Sequence, residues 1–269
     1  MREFMIRTSH RPRPLPAGRW TMTQRWNDTL FAHWPVSPAA AAALLPAGLQ
    51  PDLFNGSAWL GVIPHRMDRI KLHGVPPIPG ARGFLKLALR LCVREDHRGE
   101  QGIYYLSVEA SNLAAVCAAR IWSGQPYHWA EMRLEQRTEK EFEFFSRRLI
   151  AHPALAFKAR YRGLGPSRKL IESRPGSLEY FLTERYSVYS KSRSGQTVRA
   201  GLHTVAAPLE DAEAQIEQND LPAALGIELG DAQPVLYYAR RMAVYIWPEA
   251  LVQPTLAARR GPVSVAPAR

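Results

Sequence analysis

The pattern of apolar and polar positions is sharpest from Phe84 to Arg94, FLKLALRLCVR. Leu85, Leu87, Leu89, Leu91 and Val93 share one parity; Phe84, Lys86, Ala88, Arg90, Cys92 and Arg94 share the other. A period of two predicts a β-strand whose faces differ chemically. The leucine face belongs in a core. The cationic face must meet solvent or line a polar pocket. If the strand is part of a closed barrel, Lys86 and Arg90 point at whatever the barrel holds.

Related patterns recur along the chain. SAWLGVIPH at 57–65 reads as a strand, and GIYYLSVEA at 102–110 returns after the polar turn EDHRGEQG to complete a hairpin. AEMRLEQR, KEFEFFSRRL and LAFKARYRG predict three more strands, suited to antiparallel pairing. SLEYFLTERYSVYS predicts a short helical turn followed by a strand; QTVRAGLHTVA and PVLYYARRMAVYIW predict two further strands. Helical signals are fewer. Ser37 as N-cap, Pro38 at the first helical position and the alanine run predict one helix, stopped by Pro46 and Gly48. SNLAAVCAARIW at 111–122, capped by Ser111 or Asn112, predicts a second. LEDAEAQIEQN at 209–219 reads as an amphipathic helix, and KLHGVPPIPGARG and GLGPSRKLIESRPG as loops. Many strands with few helices predict a mainly β domain with α insertions (α+β), a barrel or sandwich over residues 22–250.

Composition narrows the class. Of 269 residues, 46% are hydrophobic, enough for one large core. No apolar run is long enough to span a membrane. The Arg- and Pro-rich segment 1–21 lacks the apolar core of a secretory signal and reads as a disordered basic arm, or as an extension before a second start at Met22. Residues 251–269 read as another disordered tail. Two cysteines, Cys92 and Cys117, make neither a disulfide framework nor a metal set, which points to a reducing, cytoplasmic setting. The net charge of +11 is concentrated at the ends: +4 in the first 19 residues and +3 in the last 11, leaving +4 for the body. With no nucleic-acid module in view, the charge alone makes a weak case for a polyanion partner.

The segments HWPV, LLPAGLQPDLFNGSAWLGVIP, the 84–94 strand, YYLSVEASNLAAVCAARIW, QPYHWAEM and GSLEYFLTERYSVYS occur in an order that resembles the YqjF-like family of bacterial proteins, over residues 22–250. The resemblance implies an acetoacetate decarboxylase-like fold, a cone-shaped β-barrel with a central small-molecule cavity; it implies no particular activity. In acetoacetate decarboxylases a lysine forms a Schiff base, its pKa lowered by a neighbouring cation. The adjacent lysine pair is absent here. Arg168–Lys169, in a Gly/Pro-flanked loop, is the one adjacent basic pair that contains a lysine. The family strand reads close to E-L-N-x-R-T-Y-V, so Lys86 replaces an inward acid and Ala88 an inward amide, while Leu87, Arg90 and Val93 keep the pattern.

Arg90 is the leading candidate ligand residue, since an inward guanidinium grips a carboxylate bidentately; the competing role is an internal ion pair with Glu109 or Glu131. Lys86 is an amine nucleophile if desolvated, or a rim residue with its head in water. Glu131, sharing a strand face with Arg133, is the best general base, unless it bridges to Arg90 or Arg120. His203 matches a family histidine and suits proton transfer; Arg185 and Tyr186 also match, and either close the cavity or cap the barrel. Tyr127, Glu109 and Arg133 complete the candidate ligand-binding set. His128 reads as a packing histidine. His65 and His73 lack the partners of a metal site. GLGPS has no P-loop context. No cofactor is implied, and a homo-oligomer is compatible with the fold. The sequence thus predicts a soluble protein that binds a small anionic keto or carboxylic acid, with lyase or hydrolase chemistry through Glu131 or His203. A non-catalytic ligand sensor and a basic-tail nucleic-acid binder are the alternatives.

Overall fold

The computed structural model describes residues 8, 11–75, 83–166, 168–169, 174–192, 194–204 and 208–252. The 76–82 stretch of the expected loop, the Arg168–Lys169 side chains and the ends 1–7 and 253–269 lie outside what is described. The strands are β1 (Met22–Val36), β2 (Leu49–Pro51), β3 (Ala58–Leu72), β4 (Phe84–Glu95), β5 (Gln101–Ala110), β6 (Tyr127–Gln136), β7 (Glu141–Arg148), β8 (Ala156–Gly163), β9 (Arg168–Lys169), β10 (Ser187–Lys191), β11 (Thr197–Thr204), β12 (Pro208–Asn219) and β13 (Val235–Leu251). Among the described residues three short α-helices accompany them: α1 (Pro38–Ala43), α2 (Leu113–Ser123) and α3 (Leu178–Thr183).

Hydrogen bonding runs β4-β3-β1-β13-β11-β10-β5, and β5 pairs with β4, so seven strands close on themselves. A second branch leaves β5 through a parallel pairing with β6, continues β7-β8-β12 and rejoins β13. This branch packs over the outer wall of the ring. Leu87, Leu89, Leu91 and Val93 of β4, with Leu30, Ala32 and Trp34 of β1, bury against Phe142, Phe144, Phe157 and Tyr161 of β7 and β8. Both faces of β4 are therefore covered, the leucines by the second sheet and the other parity by the ring interior.

Two bulges re-aim side chains into that interior. On β1, Asn27 pairs with Arg66 but Ala32 with Val62, an extra residue on β1 that includes Asp28 at φ 52°. The parity changes there, so Trp26 and Phe31 both join the inner cluster. On β5, Leu89 faces Ser107 and Arg90 faces Tyr105, again one residue extra. Tyr105 thereby turns inward with Ile103, Val108 and Ala110.

The helices form where the caps predict. The Ser37 hydroxyl caps α1, and the Asn112 side chain accepts from the Ala115 amide at 2.9 Å to start α2, which ends on Gly124 at φ 59°. Residues 209–219 do not form the expected helix; they are in β12. Ala, Glu and Gln favour a helix, but Ala212, Ala214 and Ile216 also alternate. They pack on the core while β12 pairs with β8, with Glu213 and Glu217 meeting Arg162 and Lys158 outside. The arm is likewise not loose throughout. The Arg11 guanidinium donates to the Leu202 carbonyl at 2.8 Å, and the Trp247 indole donates to the Gly18 carbonyl at 3.2 Å.

Candidate functional site

The inner face of β4 presents Lys86, Ala88, Arg90 and Cys92 in turn. The partners of Lys86 are His65 on β3 and Ala110 on β5; those of Arg90 are Gly61 and Tyr105. Small residues leave room between the large ones. At Gly61, an added Cβ would stand 2.9 Å from the His33 ring and 3.4 Å from the Arg90 side chain.

Lys86 is 3% exposed and Arg90 5%. The Lys86 ammonium lies 4.9 Å from the Tyr105 ring centre, 5.3 Å from Tyr127 and 5.9 Å from Trp26, an aromatic cage. Burial pushes its pKa down, Tyr105 raises it, and Arg90 lowers it further. The Arg90 guanidinium lies 5.7 Å from the Phe31 ring, and its Nε has no hydrogen-bond partner among the described residues. Burial holds the Arg90 pKa down, Tyr105 and Cys92 raise it, and another cation, Arg185, lowers it further. Lys86 is therefore not at a rim, and Arg90 is not the internal ion pair that Glu109 or Glu131 would have made.

Two histidines complete the interior. His33 and His65 are fully buried, and burial first, then the cations, holds both imidazoles well below their ordinary range, hence neutral at physiological pH. His65 stacks on Trp26 at 4.5 Å and places Nδ1 3.2 Å from the Ile63 carbonyl. His65 Nε2, Trp26 Nε1 and both His33 nitrogens have no partner among the described residues. Arg185, just beyond α3, packs 4.1 Å over Phe181, donates through Nε to the Phe181 carbonyl at 2.6 Å, and gives Nη1 to Asp52; its Nη2 is also unpartnered. Arg185 acts electrostatically on both Arg90 and His33, lowering the pKa of each. The arrangement is a ring-lined interior rich in cations and unpartnered polar atoms.

The family model described as DUF2071, an uncharacterized conserved protein, matches residues 23–243. The chain belongs to this family. It is 38% identical over 234 residues to the uncharacterized protein YqjF of Bacillus subtilis (strain 168), covering 87% of this chain and 93% of that one. Among solved structures, an acetoacetate decarboxylase-like enzyme from Sphingomonas wittichii RW1 matches with a TM-score of 0.60 at 16% identity, covering 88% of this chain and 94% of that one. The enduracididine biosynthesis enzyme MppR complexed with pyruvate matches at 0.61 and 10% identity, over 88% and 93% of the two chains. Acetoacetate decarboxylase from Legionella pneumophila subsp. pneumophila str. Philadelphia 1 matches at 0.58 and 15%, over 91% and 92%. At these identities the likeness shows a shared fold, the acetoacetate decarboxylase-like one that the sequence motifs imply.

In this family member the remaining sequence candidates, Tyr127 and Tyr186 apart, fall outside the ring interior. Tyr127 is in the cage. Glu109 is buried but lies on the other parity of β5, opposite Leu87, where Ser107 and Arg148 bind it. Glu131 is on the outer face of β6, held at 2.6 Å by both Arg133 and Arg147; their guanidiniums keep its carboxyl below the usual range. An exposed, paired carboxylate cannot serve as base for the ring interior, and Arg133 beside it is equally remote. His203 is fully buried in a second cluster, with its Nδ1 3.2 Å from Arg11 and its ring 6.3 Å from Tyr245. Tyr186 packs in the inner cluster with Phe31 and Tyr105, while its hydroxyl donates to Glu184 and Arg11 stacks on its ring at 4.1 Å. His128 is pushed down to about 4 by burial and by Arg148 and Arg120, as suits a packing histidine. Cys92 is buried and free, and Cys117 is exposed and free. The described residues include no metal-ligating cluster. Two clefts lie on the outer surface of β6–β8, away from Lys86 and Arg90; one is lined by Arg133, Glu135, Glu143, Phe145 and Lys158 and the other by residues from Thr138 to Leu164.

Sequence reasoning missed Trp26, Phe31, His33 and Tyr105. All sit beside bulges, where the period-two pattern loses its phase. His65 was legible only as a lone histidine; its register with Lys86 gives it a role.

Proposed function

We propose that the interior of the strand ring binds a small organic acid, a keto or carboxylic acid, with Arg90 as the anchor for its carboxylate and Lys86 as the second cation. The observation that carries this is the burial of two cations with no carboxylate partner among the described residues. An unpaired buried charge is costly, and an entering anion supplies the missing countercharge and accepts from the unpartnered donors. The fold is shared with decarboxylase-like enzymes, and the complex of MppR with pyruvate supports a keto acid as ligand class. The direct test is a thermal-shift and calorimetric screen of the full chain against small keto and carboxylic acids, with Arg90→Gln in parallel. Binding by the wild type that is lost in a folded Arg90→Gln supports the reading. No binding by either, with both folded, overturns it.

A second reading makes Lys86 a nucleophile. Its caged, desolvated amine beside Arg90 favours the neutral form, the role an adjacent lysine would otherwise supply. The amine adds to a keto carbonyl and water leaves, giving an imine. Borohydride reduction in the presence of a bound keto acid would then fix the ligand to Lys86, read by intact mass and peptide mapping. Binding without trapping would leave an anion-binding module.

A further inference from the structure

The unpartnered donors of the interior are not one group but two, and their spacing has a consequence for the ligand. Resting on the reading above, we infer that the ring takes a linear dicarboxylate, one carboxylate at each of two levels along β4.

The first level is centred on Arg90. Arg90 Nε, Arg185 Nη2 and the single N–H of the neutral His33 ring lack partners there among the described residues. His33 packs against Gly61, the register partner of Arg90, and Arg185 acts electrostatically on both. The second level is centred on Lys86, with the Trp26 Nε1 donor unpartnered beside it; the neutral His65 ring gives its Nδ1 proton to the Ile63 carbonyl, so its Nε2 is an acceptor there. Four residues of strand separate the two backbone positions, a rise of about 13 Å. One carboxylate, with about four lone-pair sites on two oxygens, cannot serve both sets.

What lies between the levels is apolar apart from the Tyr105 hydroxyl, which bonds the Lys86 side chain. Ala88, Ile63 and Val108 pack in the inner cluster, and the Tyr105 ring stands across from Arg90 and within 4.9 Å of the Lys86 ammonium. A methylene chain matches that lining, and a polar backbone does not. The charge at each end also fits. At the first level Asp52 neutralises Arg185, leaving the charge of Arg90 alone; at the second, Lys86 stands alone. Each end therefore matches a singly charged group, a carboxylate rather than a phosphate dianion.

The experiment titrates the full chain with a series of linear dicarboxylates of increasing length and with monocarboxylates of matched length, by calorimetry. Lys86→Met keeps the volume and the cage contacts while removing the charge. The expected result is a dicarboxylate of one preferred length bound about tenfold or more tighter than its monocarboxylate. Lys86→Met then brings the dicarboxylate down to the monocarboxylate affinity, and Arg90→Gln abolishes both. Equal affinities for the two series in the wild type overturn the two-ended ligand while leaving the single-anion reading intact. Absence of binding by both series overturns the single-anion reading as well. The wild-type comparison decides even if a variant fails to fold.

Discussion

At position 86 the chain carries an ammonium whose near neighbours are rings, a neutral imidazole and, further along the strand, a guanidinium. Four residues on, Arg90 meets Phe31, His33 and another arginine. The same burial that encloses these cations holds His33 and His65 neutral, and that links stability to pH. Both imidazoles resist protonation when folded, whereas in the unfolded chain they bind a proton near 6.5. Below that pH the unfolded state holds more protons, so stability falls as pH drops through 6.5. Each histidine contributes up to about 1.4 kcal/mol per pH unit. Glu184 runs the other way. Burial raises its carboxyl to about 7 from 4.5, so its contribution is full below 4.5 and is lost as pH rises through about 7. Urea unfolding from about pH 7.5 down to about pH 5.5 separates the two effects: His65→Phe, which keeps the stack on Trp26, is expected to show a shallower acid loss than the wild type. An unchanged slope would mean that His65 is protonated in the folded protein.

The elements owe their placement of these residues to small side chains and bulges. β3 can bring His33 and Arg90 together because position 61 has no Cβ. Gly61→Ala is expected to cost about 1–3 kcal/mol through overpacking, and to weaken any organic-acid binding along with the thermal midpoint. A variant with unchanged midpoint and unchanged binding would show that His33 moves aside freely. Strand β12 teaches a related point. Its helix-forming composition and its alternation of Ala212, Ala214 and Ile216 favour different structures, and β8 and β13 decide between them by supplying ladder partners on both edges. A local propensity worth fractions of a kcal/mol per residue does not outweigh a buried face plus a paired backbone.

For the whole molecule, the N-terminal arm is part of the wall. Arg11 reaches the Leu202 carbonyl and the Tyr186 ring, Pro16 packs against Gly201, and Trp20 meets His73 at 4.7 Å and Tyr245 at 6.1 Å. A chain begun at Met22 loses all of these. It is expected to be less stable by about 2 kcal/mol or more, measured by urea denaturation beside the full chain. Equal stability of the two would reduce the arm to an adherent tail. The second sheet is tied to the ring in a comparable way, through the buried pair of Arg148 on β7 and Glu109 on β5. That pair explains why Glu109, inward in the sequence pattern, never reaches the ring interior.

By itself the sequence determined the strand-rich class, the two-faced character of β4, the capped helices α1 and α2 and the family, because alternation, caps and ordered motifs are local and survive without knowledge of partners. It also singled out Lys86 and Arg90. The tertiary structure alone decided that both are buried, that Glu131 and Arg133 face solvent, that His203 meets Arg11 and Tyr245, and that His33, His65, Trp26 and Tyr105 surround the cations. The physical reason is the register. A bulge shifts side-chain parity by one residue, and burial depends on which strand or sheet covers a face; both are set by pairings between segments far apart in the chain.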